Sequence, residues 1–219
     1  MATNPNSPST SSSSMPTPAA AIDFLTLLQK LKTTKRTGWV RCNVQQPESI
    51  ADHMYRMGMM SLLASDAGVD AGRCMRMALV HDVAEAIVGD ITPHCNVSDA
   101  EKHKLEADAI QQIKAMLGEH THAAQEVDVL WHEYEAQSSP EAALVKDFDK
   151  LEMILQAHEY EQGQGLGLQQ FFDSTAGKFK TDTGRAWANE LIQRRQQAAA
   201  AAAGAGSSEP KSKAAVEGR

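Results

Sequence analysis

Cysteine is scarce in this chain. Its 219 residues include three, Cys42, Cys74 and Cys95, with no CxxC spacing among them. An odd number so placed argues against a disulfide framework and for a reducing compartment. None of the three sits in a recognisable nucleophile motif. No stretch is apolar for long enough to cross a bilayer, so we expect a soluble protein with no membrane contact. No positive segment followed by an apolar core opens the chain, so no secretory signal is expected. Basic residues are outnumbered: the formal net charge is −7 at pH 7, unlike that of a protein that coats a nucleic acid polymer. A small anionic substrate stays compatible with that charge, because a metal or local basic groups can dominate a site. No alternating apolar stretch reads as a strand, and no internal repeat is present.

What remains is helical pattern between two simple ends. Residues 1–20 are mainly Ser, Thr, Pro, Ala and Asn, with no charged side chain before Asp23. From about Gln196 the chain turns Ala-rich, then Gly-, Ser- and Lys-containing. Neither end carries enough large apolar groups to offset the entropy of ordering it, so 1–20 and 197–219 are expected as disordered tails. The first tail is Ser-rich and acid-free like a transit peptide but lacks Arg. A cytoplasmic protein is therefore expected, with organelle import as the alternative. Residues 21–196, about 175 in number, suit one domain with one core.

Within it, Ile22, Leu25, Leu28 and Leu31 recur at helical spacing, and 33–48 reads as a loop carrying Lys35, Arg36, Trp39 and Arg41. Ser49 with Asp52 starts a helix holding Ile50, His53, Met57, Met60 and Leu63. Asp70 caps a helix expected to run unbroken to about Val88 and stop at Gly89, followed by a loop from Asp90 to Val97. Ser98 with Glu101 opens a helix to about Leu117, and another spans about 122–137. Ser139-Pro140-Glu141 opens a helix to about Gln162, ended by Gly163, Gly165 and Gly167, and a last helix covers about 182–196. The expected fold is an all-α single-domain helical bundle.

Chemistry concentrates in Leu79-Val80-His81-Asp82-Val83-Ala84-Glu85. Adjacent His and Asp at the edge of an apolar helix are costly to bury unless something pairs with them. Both are good ligands for a divalent transition metal. In a continuous helix Glu85, four residues after His81, would share its face one turn on. His53 lies among apolar neighbours upstream, and Asp149 does so downstream. Each alone has a plain reading as a packed or solvated side chain. The order His, His-Asp, Asp on three separate helices is far more specific.

That order resembles the HD-domain phosphohydrolases, and within them the 5′-deoxynucleotidase group. The resemblance covers about residues 22–195. It rests on Lys32 to Val40, Pro47-Glu48-Ser49 with Asp52 to Met57, Ala78 to Asp82 with Glu85, and Val88 to Ile91. Downstream it continues through Glu135 to Ser139, Val145-Lys146 with Asp149, Glu152 to Ala157, and Phe172 to Phe179. It implies an HD-type helical bundle that hydrolyses deoxyribonucleoside 5′-monophosphates to deoxynucleoside and phosphate. It also implies a divalent ion (Mn²⁺, Co²⁺ or Mg²⁺, with room for a second) and usually a homodimer.

Carried over by position, His53, His81, Asp82 and Asp149 match the metal ligands. Glu85 matches the general acid or base and neighbours a second ion. Asp90 and Ile91, followed by Thr92, match a loop lining the substrate or that added metal, and Trp39 matches an aromatic against the sugar. Trp39 equally suits an anchor of its loop in the core. One departure stands out: related bacterial enzymes have Arg directly before this Trp, whereas here Gly38 precedes it. Arg36 is then the expected phosphate-orienting cation, with Lys35 or Arg56 as substitutes. A phosphodiesterase or nucleoside triphosphohydrolase is the competing enzyme reading. A non-catalytic helical module with a structural ion is the competing binding-protein reading.

Overall fold

The computed structural model describes residues 15–64 and 68–206; the expected tails lie outside it over 1–14 and 207–219. Among the described residues there are eleven α-helices and no β-strand beyond one isolated bridge, Lys35 to Ser49. The first two helices, α1 (Pro18–Leu27) and α2 (Gln29–Thr33), are one apolar face bent at Leu28. Thr17 caps α1 by accepting from the Ala20 N–H, with Pro18 at the first helical position, so residues 18–20 belong to a helix rather than to a tail. A short helix, α3 (Thr37–Arg41), lies inside the segment expected as loop. Its first N–H, from Thr37, is taken by Asp90 Oδ2 at 2.6 Å, a long-range cap with no local sequence signal.

The helix α4 (Ile50–Leu63) begins at a complete capping box between Ser49 and Asp52, which contributes about 1 kcal/mol. Its buried face carries Ile50, His53, Met54, Met57 and Met60, and it packs most extensively on α5 (Ala71–Val80), capped by Asp70.

Contrary to the unbroken helix expected to Val88, α5 stops at Val80 and a separate short helix, α6 (Glu85–Val88), follows a turn over 81–84. The cause is local. The His81 ring takes the Ala78 carbonyl, and the next N–H groups reach back only three residues, Val83 to Val80 and Glu85 to Asp82. Gly89, at φ +78°, ends α6. A single 3₁₀ turn, Pro93–Cys95, leads to α7 (Asp99–Leu117), where Ser98 caps Glu101 N–H as expected.

The next helix, α8 (His122–Ala136), is followed by the long α9 (Pro140–Gln164), which ends at Gly165 in the left-handed region. A helix not foreseen from the sequence, α10 (Gln169–Thr175), buries Phe172 and Thr175. The last, α11 (Asp182–Gly206), continues past the domain limit expected at 196 because its Ala-rich stretch is made of the strongest helix former.

Two apolar clusters form the core. One gathers Met57, Met77, Leu130, Leu144, Phe148 and Ile154; the other gathers Ile50, Met54, Ile110, Ile113 and Trp131. Because α4 contributes to both, His53 sits at the seam between them.

Candidate metal centre

At that seam four side chains from three elements meet. His53 comes from α4, His81 and Asp82 from the turn after α5, and Asp149 from α9. One ligand atom from each of His53, His81 and Asp149 lies within 4.8 Å of the others. Asp82 Oδ2 lies 3.1 Å from His81 Nε2 and 3.8 Å from His53 Nε2, and Asp149 Oδ1 lies 3.4 Å from His53 Nε2. Adjacent residues of a regular helix do not face one another. The broken turn is what lets His81 and Asp82 aim at one centre.

Each ring is held by its other nitrogen. His53 Nδ1 lies 2.6 Å from Glu152 Oε2, and His81 Nδ1 lies 2.9 Å from the Ala78 carbonyl oxygen. Both partners accept, so each Nδ1 donates a proton outward and Nε2 is the nitrogen left facing the centre, where a cation that displaces any proton on it would meet its lone pair. The two Nε2 atoms are buried and have no hydrogen-bond partner. Orphaned buried polar atoms of this kind demand an explanation, and a cation among two imidazoles and two carboxylates supplies one. The residues therefore fit a divalent ion.

The electrostatics agree. Burial and Arg36 disfavour protonated His53, yet Glu152 and Asp149 outweigh them and lift the ring to about 9, a measure of the negative surplus here. Burial opposes ionisation of Asp82, but His81, Arg36 and His53 hold it well below the usual carboxylate range. Burial likewise opposes ionisation of Asp149, but Lys146 and His53 keep it low. Asp149 also accepts from Tyr134 Oη at 2.7 Å, and Lys146 Nζ donates to that same oxygen at 2.8 Å. Glu85 behaves oppositely. It is 3 % exposed with Oε2 unpartnered, and burial plus Asp82 and Asp90 push its carboxyl well above the ordinary range.

A cavity of about 460 Å³ adjoins the centre through Arg36, whose guanidinium lies 3.3 Å from Asp82 Oδ2. Of the expected substrate residues, Arg36, Trp39, Asp90 and Thr92 line it and Ile91 does not. Trp39 is only 2 % exposed, donates from Nε1 to Glu48 at 2.7 Å and packs against Phe171 and Tyr160. It is first an anchor of its segment and only at its edge a cavity wall. Asp90 spends one carboxylate oxygen on the Thr37 N–H, which positions the segment bearing Arg36. Lys35 is exposed, and Arg56 is engaged by Glu152 and Glu159.

Sequence reasoning missed Glu152, Tyr134 and the α10 wall of the cavity. Glu152 was findable: it is an acid three residues after Asp149 in an apolar run, and so on the same helical side. Tyr134 and α10 reach the site only through tertiary packing.

Residues 28–189 match the HD domain family. The 5′-deoxynucleotidase HDDC2 of Danio rerio is 56% identical over 160 residues, covering 72% of this chain and 79% of that protein. A solved Pyrococcus horikoshii OT3 protein is 33% identical, covers 80% of this chain and 98% of its own, and superposes with a TM-score of 0.66. A solved "predicted metal-dependent phosphohydrolase" of Magnetospirillum magnetotacticum MS-1 is 26% identical, covers 82% and 95%, and has a TM-score of 0.64. With most of its length matched and the His, His-Asp, Asp order converging at one centre, this chain belongs to the HD domain family.

Proposed function

We propose that the protein is a metal-dependent 5′-deoxynucleotidase, hydrolysing deoxyribonucleoside 5′-monophosphates to deoxynucleoside and phosphate. The observation that carries this is the pair of buried, unpartnered Nε2 atoms of His53 and His81 beside Asp82 and Asp149, in a chain whose relatives bear that name. His53, His81, Asp82 and Asp149 hold a divalent ion of the Mn²⁺, Co²⁺ or Mg²⁺ class. Bound there, the ion supplies a Lewis acid that draws charge from phosphoryl oxygens and makes water a competent nucleophile at neutral pH.

The remaining steps belong to the chain. Arg36 reaches from the centre into the cavity and gives charge-assisted hydrogen bonds to the phosphate. A water oxygen bonds to phosphorus as the bond from phosphorus to the 5′-oxygen breaks, and the leaving oxygen needs a proton. We assign that proton to Glu85, whose buried, unpartnered carboxyl beside Asp82 and Asp90 favours the neutral form. Asp90 and Thr92 line the substrate side, and Ile91 continues their loop. The reading includes a homodimer, supported by the exposed apolar stripe Tyr55, Met59, Leu62 and Leu63 on α4; a one-chain mass in solution would remove that part.

The direct test measures orthophosphate from nucleoside monophosphates with and without a 2′-hydroxyl, across several divalent ions and after chelation. Release from the deoxy series, dependent on the ion, is expected. Release only from diesters or triphosphates would overturn the reading. A second test addresses Glu152, the carboxylate that orients His53 and is itself fully buried. Glu152→Gln should lower metal affinity by about 10- to 100-fold while the protein stays folded. Unchanged affinity in a metal titration would strip Glu152 of that positioning role.

A further inference from the structure

Resting on the nucleotidase reading, we infer that Phe171 of α10 is the surface on which the substrate's base stacks, and that Gly38 is the residue that makes room for it. The cavity has two chemically distinct parts. Arg36 supplies charge on the side that touches the centre, Asp90 and Arg41 supply the remaining charge, and Trp39, Met153, Phe171 and Pro93 supply an apolar wall. A nucleoside monophosphate has the same division, with a dianionic phosphate at one end and a flat apolar face at the other. The volume, about 460 Å³, is in the range of small-ligand pockets.

Two aromatic rings border the space, and their exposure separates them. Trp39 is 2 % exposed, tied through Nε1 to Glu48 and covered by Tyr160 and Phe171. Phe171 is only partly buried, with its ring centroid 4.3 Å from that of Trp39 at 41°, so it backs onto Trp39 and leaves surface for a ligand. Position 38 controls where it lies: a Cβ there would sit 3.3 Å from Phe171 Cε1. Met153 completes the wall from α9, one turn beyond Asp149, which fixes the apolar part relative to the centre.

The test compares kcat/KM for a deoxynucleoside 5′-monophosphate with that for 2-deoxyribose 5-phosphate, which lacks the base. Wild type should favour the nucleotide. Phe171→Ala should shrink that ratio by about ten- to hundredfold, chiefly through KM for the nucleotide, whereas Phe171→Tyr should preserve it. Gly38→Leu, which displaces the ring without removing it, should shrink the ratio in the same way. An unchanged ratio in Phe171→Ala, or equal losses on both substrates, would overturn the inference. So would a ratio preserved by Phe171→Leu, since stacking requires an aromatic face. A wild type that hydrolyses both substrates equally well refutes base stacking but leaves the phosphatase intact; one that hydrolyses neither refutes the phosphatase reading itself.

Discussion

His81→Ala is expected to lower phosphate release by at least about 10³-fold, because the bound cation supplies several kcal/mol of transition-state stabilisation and each factor of ten is about 1.4 kcal/mol. His81 Nε2 has no protein hydrogen bond to lose, and its Nδ1 bond to the Ala78 carbonyl is local to the turn. The substitution therefore removes a ligand and leaves most of the fold's contacts in place. Metal content after dialysis, by atomic absorption, should fall in parallel with activity. A variant that keeps both its ion and its rate would show that His81 lies outside the coordination set, and the four-residue centre would have to be redrawn.

Glu85→Gln should behave differently, and the contrast separates binding from chemistry. Gln is nearly isosteric with the neutral acid that burial, Asp82 and Asp90 favour at this position. The folded protein should accept it with little change in thermal midpoint, and metal content should stay near that of wild type. Turnover should nevertheless drop by about 10²- to 10⁴-fold, the range of a positioned proton-transfer group. The loss should fall on kcat, because Glu85 is assigned to the proton rather than to holding phosphate. Full turnover in Glu85→Gln would take the residue out of the mechanism. A parallel loss of the ion would make it a ligand instead.

The part of this centre legible in the sequence is the part with local cost. His53 and His81 are buried polar groups in apolar stretches, and burying such groups without partners is expensive enough to imply a shared one, while Asp149 is a half-buried acid in a third apolar stretch. The capping signals at Ser49, Asp70 and Ser139 are equally local, and the helices start where those residues stand. The break at 81–84 was not legible. Its apolar neighbours carry helical periodicity straight through, and the His81 ring's hold on the Ala78 carbonyl is a structural outcome with no sequence signature. Glu85 is buried after that break and its N–H reaches the Asp82 carbonyl, so it lies one turn from Asp82 although the regular helix expected to carry it is absent. The segment after Gly165 read as a loop because glycines dominate it. Burial of Leu168, Phe172 and Thr175 against the core makes a helix of the residues between. The Ala-rich end shows the opposite error: a stretch with little to bury still forms helix, because Ala loses almost nothing in doing so.

One consequence concerns how such a protein can diversify. A single rod, α9, bears Lys146, Asp149 and Glu152 together, so this one side of the centre is inherited as a block in fixed register. The seven-residue α10 hangs between Gly165 and Gly177, both in backbone conformations open to glycine. If Phe171 stacks the base as inferred, drift within that short span would alter which molecules are accepted while the cleaving groups stay untouched. Descendants of this chain are thus free to change their diet without relearning their trade.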